Sequence, residues 1–396
     1  MVVRLAHLLA PQSAVEFIRT IYGRNYAHFS GEAGRFASLA DWGALNNLLA
    51  TQRFAFPRLR LAKQGDIVPE ELYTEQVDTS GHAFYRRILT GQLVKQLRDG
   101  ATLVIDRVDQ AHQPLAQLAS TLESEMRARV FVNLYASWGA AEGFGTHWDD
   151  HDVFVLQLDG HKRWKIFEPT RMWPLRDETA ETPKPQSPPI AEFDLMAGDV
   201  LYLPHGWWHA ASPCGQPSLH LSVGVAHQNG IDFVKWLTGI ARDYEIFRQR
   251  VPLLGGDSAR NKYLASIRGQ LNELMNSDSV LDRFVEYSDG VSPGRPLFKL
   301  PDIGEQNTIL ENLTAEVVLL APKATSRPNR DGDGFVLTAL GRRWMFAEAA
   351  RPIIDMLISG DGVTVQQVVE SSPHLGPEQA ADVVYTLLNA GVVAIQ

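Results

Sequence analysis

Between Ala101 and Val225 the chain is written in short β-branched and aromatic runs, at 102–105, 130–135, 152–158, 161–167, 193–195, 200–203 and 219–225. Turn residues separate them. Short strands at this spacing predict a sandwich or barrel and argue against alternating β-α units, which need a helical stretch between strands. Asp159-Gly160, between two of the runs, predicts a two-residue hairpin. Residues 179–189, rich in proline and polar side chains, predict a surface loop.

The strand-rich stretch also carries the residues that constrain chemistry. His147 and Asp149 stand two apart, a spacing that points both side chains to one face of an extended segment. His209 follows in Gly198-Asp199-Val200-Leu201-Tyr202-Leu203-Pro204-His205-Gly206-Trp207-Trp208-His209. There a turn, a buried strand and a second turn at Pro204-His205-Gly206 lead to it from a separate strand end. Two histidines and one carboxylate form the residue set of a facial triad, which holds Fe(II) on one side and leaves the opposite positions open. His205 and His209 have the spacing of a zinc-protease helix, but Pro204, Gly206 and the missing glutamate break that pattern. A three-histidine site for Zn or Mn is the other rival, and Asp149 in place of a third histidine favours Fe(II). Asp150 and His151 crowd the motif and could replace the assigned ligands; strand phase favours His147 with Asp149.

A metal with open positions can take a bidentate 2-oxo acid and dioxygen, and the acid's distal carboxylate then needs a cation inside the barrel. Two residues past the Asp159-Gly160 turn, Lys162 falls in phase with Trp164 and Ile166. A lysine on an apolar strand face is costly unless paired, and a bound dicarboxylate would pair it. The opposite phase would turn His161, Arg163 and Lys165 inward and leave Lys162 solvated.

At 396 residues the chain exceeds the roughly 100–200 usual for one domain, so two or three domains are expected. The 45% hydrophobic and 21% charged content is that of a globular protein. The N-terminal stretch has one basic residue and no small-residue cleavage site, and reads as the start of the fold. No run reaches the ~20 apolar residues of a membrane span. The single Cys214 excludes an internal disulfide and fits a reducing cytosol. A net charge of −9 argues against general nucleic-acid binding.

Helical periodicity surrounds the strand region. Ala14, Phe17, Ile18 and Ile21 share a face over 13–22. Leu39, Trp42, Leu45, Leu48 and Leu49 do so over 38–49, with Ser38 or Asp41 as N-cap. Residues 84–97 predict a further helix ending at Asp99-Gly100. Later come 231–250, 261–275 and 279–287; Trp236, Ile240, Tyr244 and Phe247 form one apolar stripe that suits either core or a dimer face. Residues 322–334 read as a turn-rich linker. Beyond it, 346–358 (with Pro352 as kink or true start), 364–370, 378–389 after Pro377, and a terminal strand at 392–395 suggest a winged helix. Its third helix carries Glu378 and Asp382 and no basic residue, so phosphate contact is not expected.

The stretch His147-Trp148-Asp149-Asp150-His151-Asp152-Val153-Phe154-Val155-Leu156-Gln157-Leu158-Asp159-Gly160-His161-Lys162-Arg163-Trp164, continued by 198–209 and Ser218-Leu219-His220-Leu221-Ser222, resembles the JmjC-type (cupin-like) Fe(II)/2-oxoglutarate oxygenases, specifically their ribosomal oxygenase branch. The resemblance implies that His147, Asp149 and His209 bind iron at the catalytic centre and that Lys162 binds the distal carboxylate of 2-oxoglutarate. It implies that Asn133 and Tyr135 line the co-substrate pocket, with Ser222 beside them. It implies an α+β fold, with a double-stranded β-helix and N-terminal helices over 1–228, a helical dimerisation segment over 229–320 and a winged-helix-like module over 321–396. It also implies Fe(II), 2-oxoglutarate and dioxygen as cofactors, a cytoplasmic homodimer, and hydroxylation of an Arg or His side chain of a ribosomal protein. Hydroxylation of a peptide or natural-product precursor, and a catalytically silent cupin that only binds a partner, are the alternatives. Histone-type demethylation ranks lower, because nothing in the sequence suggests a methyl-lysine cage.

Overall fold

A strand whose two faces are both apolar needs a layer on each side, and the long strands of this chain have both. The computed structural model describes residues 3–78, 84–139, 143–178, 182–277, 279–291, 309–320, 325, 328–340, 342–359 and 362–395. They fall into two units, Met1–His227 and Gln228–Gln396. The strands of the first are β1 Ala27–Phe29, β2 Leu59–Lys63, β3 Asp66–Val68, β4 Thr74–Asp78, β5 Phe84–Ile88, β6 Thr102–Ile105 and β7 Arg129–Ser137. They continue as β8 Asp152–Asp159, β9 His161–Phe167, β10 Ala191–Met196, β11 Val200–Leu203, β12 Trp208–Pro213 and β13 Ser218–Ala226.

Eight strands form one sheet in the order β1-β11-β8-β13-β7-β6-β2-β3, and three form a second in the order β10-β9-β12. From β8 onward the chain passes between the sheets, as in a double-stranded β-helix. The outer face of the large sheet, with Val130, Val132, Leu134, Leu219 and Leu221, is buried in a cluster with Leu115, Leu118 and Leu122 of the helix Gln113–Met126. Its inner face places Val153, Val155, Leu201 and Leu203 against Trp164, Ile166 and Leu195 of the small sheet.

The Asp159-Gly160 corner is tight but is not a hairpin. β8 pairs with β11 and β13, while β9 pairs with β10 and β12. Both edges of β8 are taken, so the turn hands the chain to the other sheet. Gly160 has φ +64°, and a Cβ there would lie 2.1 Å from the Pro217 carbonyl oxygen.

Other elements depart from the sequence expectation for local reasons. The helix expected over 84–97 starts only at Thr90; Phe84–Ile88 is a strand paired with β4, where Arg87 bonds Glu75 across the ladder. The first hundred residues also supply β1, β2 and β3, too short to show a period. The helix Gln113–Met126, with proline in its first turn, was overshadowed by the strand runs around it. Asp41 caps the helix Trp42–Thr51 through a 2.7 Å bond from the Ala44 N–H.

In the second unit the stretch 231–250 is broken. Gly230–Ala241 and Glu245–Arg248 are helical, and Tyr244 between them is extended. Trp236 and Leu237 form a small core with Leu274 of the helix Asp257–Met275, and Phe233, Ile240, Tyr244, Phe247 and Phe284 pack on it. The helix Val280–Val291 follows. Of the expected linker, 322–324 and 326–327 lie outside the described residues, and Asn329–Asp331 pairs instead with the strand Gly334–Ala339. The expected helix from 346 begins at Arg351, with Pro352 in its first turn; Phe346 belongs to the strand Arg342–Ala347. The helices Arg351–Ile358, Val365–Ser371 and Pro377–Asn389 enclose a second core. A sheet of Val363–Thr364, Glu316–Leu319 and Val393–Ile395 accompanies them. Among the described residues no helix is long and apolar enough to cross a membrane.

Gly160→Ala should destabilise the first unit by about 1–3 kcal/mol, because it meets both the left-handed backbone and the Pro217 carbonyl. Thermal unfolding at the wild-type midpoint would contradict this reading of the corner.

Candidate metal centre and cavity

His147 and His209 face each other across an isolated antiparallel bridge at the edge of β12. The His147 N–H donates to the His209 carbonyl at 3.1 Å, and the His209 N–H donates back at 2.8 Å. Directly opposed residues of an antiparallel pair project to the same face, so the two imidazoles meet, with ring centroids 4.4 Å apart. Asp149 lies two residues beyond His147, and its carbonyl accepts the Gly206 N–H at 3.0 Å. Its Oδ2 stands 3.6 Å from His209 Nε2. One ligand atom from each of the three residues can be chosen so that all lie within 4.8 Å of one another.

The ring orientations suit a metal. His147 Nδ1 lies 2.9 Å from the Gly145 carbonyl and His209 Nδ1 lies 3.1 Å from the Trp207 carbonyl. A carbonyl can only accept, so both Nδ1 atoms carry the proton and both Nε2 lone pairs are free. Burial, and then the neighbouring His147, pushes the His209 imidazole down to about 4, which keeps it neutral at pH 7. Burial pushes the Asp149 carboxyl up, but His209, His151 and His147 outweigh it and hold the group below the usual carboxylate range. Two imidazoles and one ionised carboxylate on one side of a cavity are a donor set that fits Fe(II) with open positions.

The crowding residues are engaged elsewhere. His151 Nδ1 lies 2.9 Å from Asp150 Oδ1. The Asp152 carboxylate accepts from the Tyr202 hydroxyl and from the His205 N–H, each at 2.8 Å. The His205 ring lies against the Pro174 carbonyl at 2.6 Å. Gly206, at φ +82°, turns the chain from β11 into β12, and a Cβ there would meet the Pro174 ring at 2.5 Å.

The triad opens into a cavity of about 540 Å³ that Lys162, Asn133, Tyr135 and Ser222 also line. Its two walls come from the two sheets. Lys162 and Trp164 alternate inward along β9, both nearly inaccessible to solvent. On the large sheet Asn133 and Tyr135 are opposed in register by Ser222 and His220. Burial drives the Lys162 ammonium down to about 7; Cys214 offsets this slightly, and among the described residues no carboxylate does. Burial raises the Tyr135 phenol, which therefore stays protonated.

Several lining residues escaped the sequence reading. His220 stacks on Tyr135 with centroids 4.8 Å apart, and its buried Nδ1 has no hydrogen-bond partner among the described residues. Burial, and then Lys162, holds its imidazole well below the ordinary range, so it is neutral. Its signal was a polar residue alternating with Leu219 and Leu221 on a buried strand. Arg107 and Phe131 line the cavity as well; neither shows a periodicity that marks it.

Residues 107–233 match the family model of the JmjC domain. The chain is 31% identical over 169 residues to the bifunctional lysine-specific demethylase and histidyl-hydroxylase NO66 of Dictyostelium discoideum, covering 40% of this chain and 33% of that protein. It is 36% identical over 129 residues to ribosomal oxygenase 2 of Rattus norvegicus, covering 30% and 27% respectively. The chain thus spans a third or less of the length of these two relatives. Among solved structures, the ribosomal oxygenase YcfD of Escherichia coli superimposes with a TM-score of 0.60 at 18% identity, covering 97% of this chain and 98% of that one. YcfD in complex with cobalt and 2-oxoglutarate also gives a TM-score of 0.60, at 19% identity and with 98% and 99% covered. The matched stretch, which holds the β-helix strands and the clustered His147, Asp149 and His209, is a JmjC domain over residues 107–233, and in that region the chain is similar to the ribosomal oxygenases.

Proposed function

We propose that the chain is an Fe(II)- and 2-oxoglutarate-dependent oxygenase that hydroxylates an Arg or His side chain of a ribosomal protein, working as a homodimer in the cytoplasm. One observation carries the enzymatic part. Among the described residues, a lysine is buried without a carboxylate partner in the same cavity as a His-Asp-His donor set. Such a charge is costly until an anion arrives, and an anion that also reaches the donor set is a dicarboxylate. The substrate part rests on similarity to the ribosomal oxygenases.

In this reading His147 Nε2, Asp149 and His209 Nε2 hold the metal, and the Gly145 and Trp207 carbonyls fix the two rings. Bound Fe(II) supplies the coupling of dioxygen reduction to 2-oxoglutarate decarboxylation, chemistry that belongs to the metal and its co-substrate. The protein positions the reactants. His209 pairs in register with Ile166, so Lys162 lies four residues further along β9, about 13 Å of strand. The lysine side chain and a five-carbon dicarboxylate together span that distance. Trp164 and Tyr135 wall the space and exclude water, Ser222 leaves a hydroxyl toward the co-substrate, and Asn133 supports the wall through its bonds to the Arg107 N–H and to Tyr135.

Asp149→Ala and His209→Ala should each lose binding of one Co(II) or Fe(II) per chain and lose 2-oxoglutarate turnover. Stoichiometric metal binding by either variant would refute the ligand assignment.

Lys162→Met should weaken 2-oxoglutarate binding about tenfold or more, the loss expected for a buried charge-assisted contact. The pH dependence follows from its position near 7 without ligand. The anion binds the ammonium form, so affinity should be level below pH 7 and fall as pH rises through it. The slope should approach a tenfold loss per pH unit, with proton uptake on binding. The ligand-free unit shows the opposite trend. The penalty for burying the charge is full below pH 7 and is relieved between 7 and the unfolded value of 10.5. Calorimetric titration across pH 6–9 measures the first effect; a flat wild-type profile, or one that Lys162→Met retains, would exclude the role.

Mass spectrometry of ribosomal proteins from cells with and without this gene should show a gain of one oxygen atom on an Arg or His. Identical spectra would count against the ribosomal substrate.

A further inference from the structure

At the mouth of the cavity the corner after β6 is built with unusual care. Arg107 has φ +54° and ψ +38°, a left-handed conformation that a long side chain adopts at a cost. Four hydrogen bonds hold the corner there. Its N–H donates to Asn133 Oδ1 at 3.0 Å, and its carbonyl accepts from Arg58 Nη2 at 2.9 Å. Arg58 Nε also reaches the Asp106 carbonyl at 3.2 Å, while the Asp106 N–H donates to the Arg58 carbonyl at 2.8 Å. A glycine or asparagine would fill such a corner more easily if turning the chain were its whole purpose.

The clamp aims the guanidinium. Its Cζ lies 5.0 Å from the centroid of the Phe131 ring, and both residues line the cavity. Gly224, opposite Phe131 in register, makes room for that ring, since a Cβ there would come within 2.3 Å of it. Arg129, two residues before Phe131 and also at the cavity, brings a second guanidinium to the same rim. The other cations of the mouth are engaged: Arg60 pairs with Asp106, and Arg176 lies 3.5 Å from Asp150. Among the described residues, Arg107 and Arg129 have no acidic partner.

We infer that Arg107, stacked on Phe131 and seconded by Arg129, is a specificity-determining residue that docks an acidic side chain of the protein substrate close to the residue being modified. The inference rests on the cavity's occupant being a polypeptide, as in the function proposed above. A single carboxylate matches two uncompensated guanidiniums on one rim. A nucleic-acid strand would carry its repeated phosphates past Asp106 and Asp150, which line the same mouth, and the chain's net charge of −9 opposes it as a whole.

The test uses the full chain loaded with Co(II) and 2-oxoglutarate. Fluorescence anisotropy follows labelled synthetic peptides with a central histidine or arginine, flanked by glutamate, glutamine or lysine. A glutamate-flanked peptide should bind about tenfold more tightly than its lysine counterpart, the scale of one charge-assisted contact. Arg107→Ala should abolish that preference and Arg107→Lys should retain part of it. Arg107→Gly suits the left-handed corner, so it should keep or raise the melting temperature while losing the preference, an outcome that a purely structural role for Arg107 would not give. Equal binding of all flanks by the wild type, a preference that survives in Arg107→Gly, or no binding of any peptide would overturn the inference. A single-stranded oligonucleotide that displaces the glutamate peptide more effectively than unlabelled peptide does would also overturn it. With Fe(II) and dioxygen in place of Co(II), charge-selective binding without oxygen incorporation would leave the docking role standing and remove the hydroxylase; incorporation without charge selectivity would do the reverse.

Discussion

The backbone exchange between His147 and His209 is the contact on which the candidate site depends. Two hydrogen bonds, 3.1 and 2.8 Å, set the two residues directly opposite each other, and opposition in an antiparallel pair brings the imidazoles to one face. A slip of one residue would send one ring to the other side of the sheet. The bridge also fixes where Asp149 falls, because the chain leaves His147 in extended form and is held again at the Asp149 carbonyl by the Gly206 N–H. The Pro204-His205-Gly206 turn therefore orients the carboxylate as well as delivering His209.

Around that bridge the interior is built against the usual economy of a protein core. Apolar side chains fill much of the space between the sheets. Among them Lys162 and His220 are buried, and His220 Nδ1, Trp164 Nε1 and Thr102 Oγ1 have no partner among the described residues. Each buried polar group without a partner costs on the order of 1–3 kcal/mol. A sequence that folds with so many of them in one cavity holds that energy in reserve for a polar ligand, and the same apolar surroundings strengthen every bond the ligand makes.

Much of this was legible in the chain. The strand runs, the ligand spacing and the inward phase of Lys162 rest on period-two alternation, which survives any topology. What could not be read was which strands pair. Asp159-Gly160 has the residues of a hairpin because a tight turn with positive φ is needed, and the local chemistry does not depend on whether the next strand stays in the sheet. Ala27–Phe29 is a strand because of a distant partner, β11, and Phe84–Ile88 because of the neighbouring β4; both carry too few residues to show a period. His220 and Arg107 were unreadable for a further reason. A buried histidine and a left-handed arginine acquire meaning only from what lies opposite, Tyr135 and Lys162 in one case and Phe131 in the other.

The corner that is not a hairpin also explains how the cavity has two walls. Had β9 folded back on β8, Lys162 would stand in the same sheet as Ser222 and Tyr135, beside them and not across from them. By crossing at Gly160 the chain carries Lys162 and Trp164 to the small sheet, where β9 pairs with the strand of His209. Asn133, Tyr135, His220 and Ser222 stay on the large sheet. The two histidines share the bridge at the small sheet's edge, so a ligand held between the walls meets the donor set at one end and the ammonium at the other. A continuous meander would present the same residues on one face of a single sheet, with nothing opposite to exclude water from them.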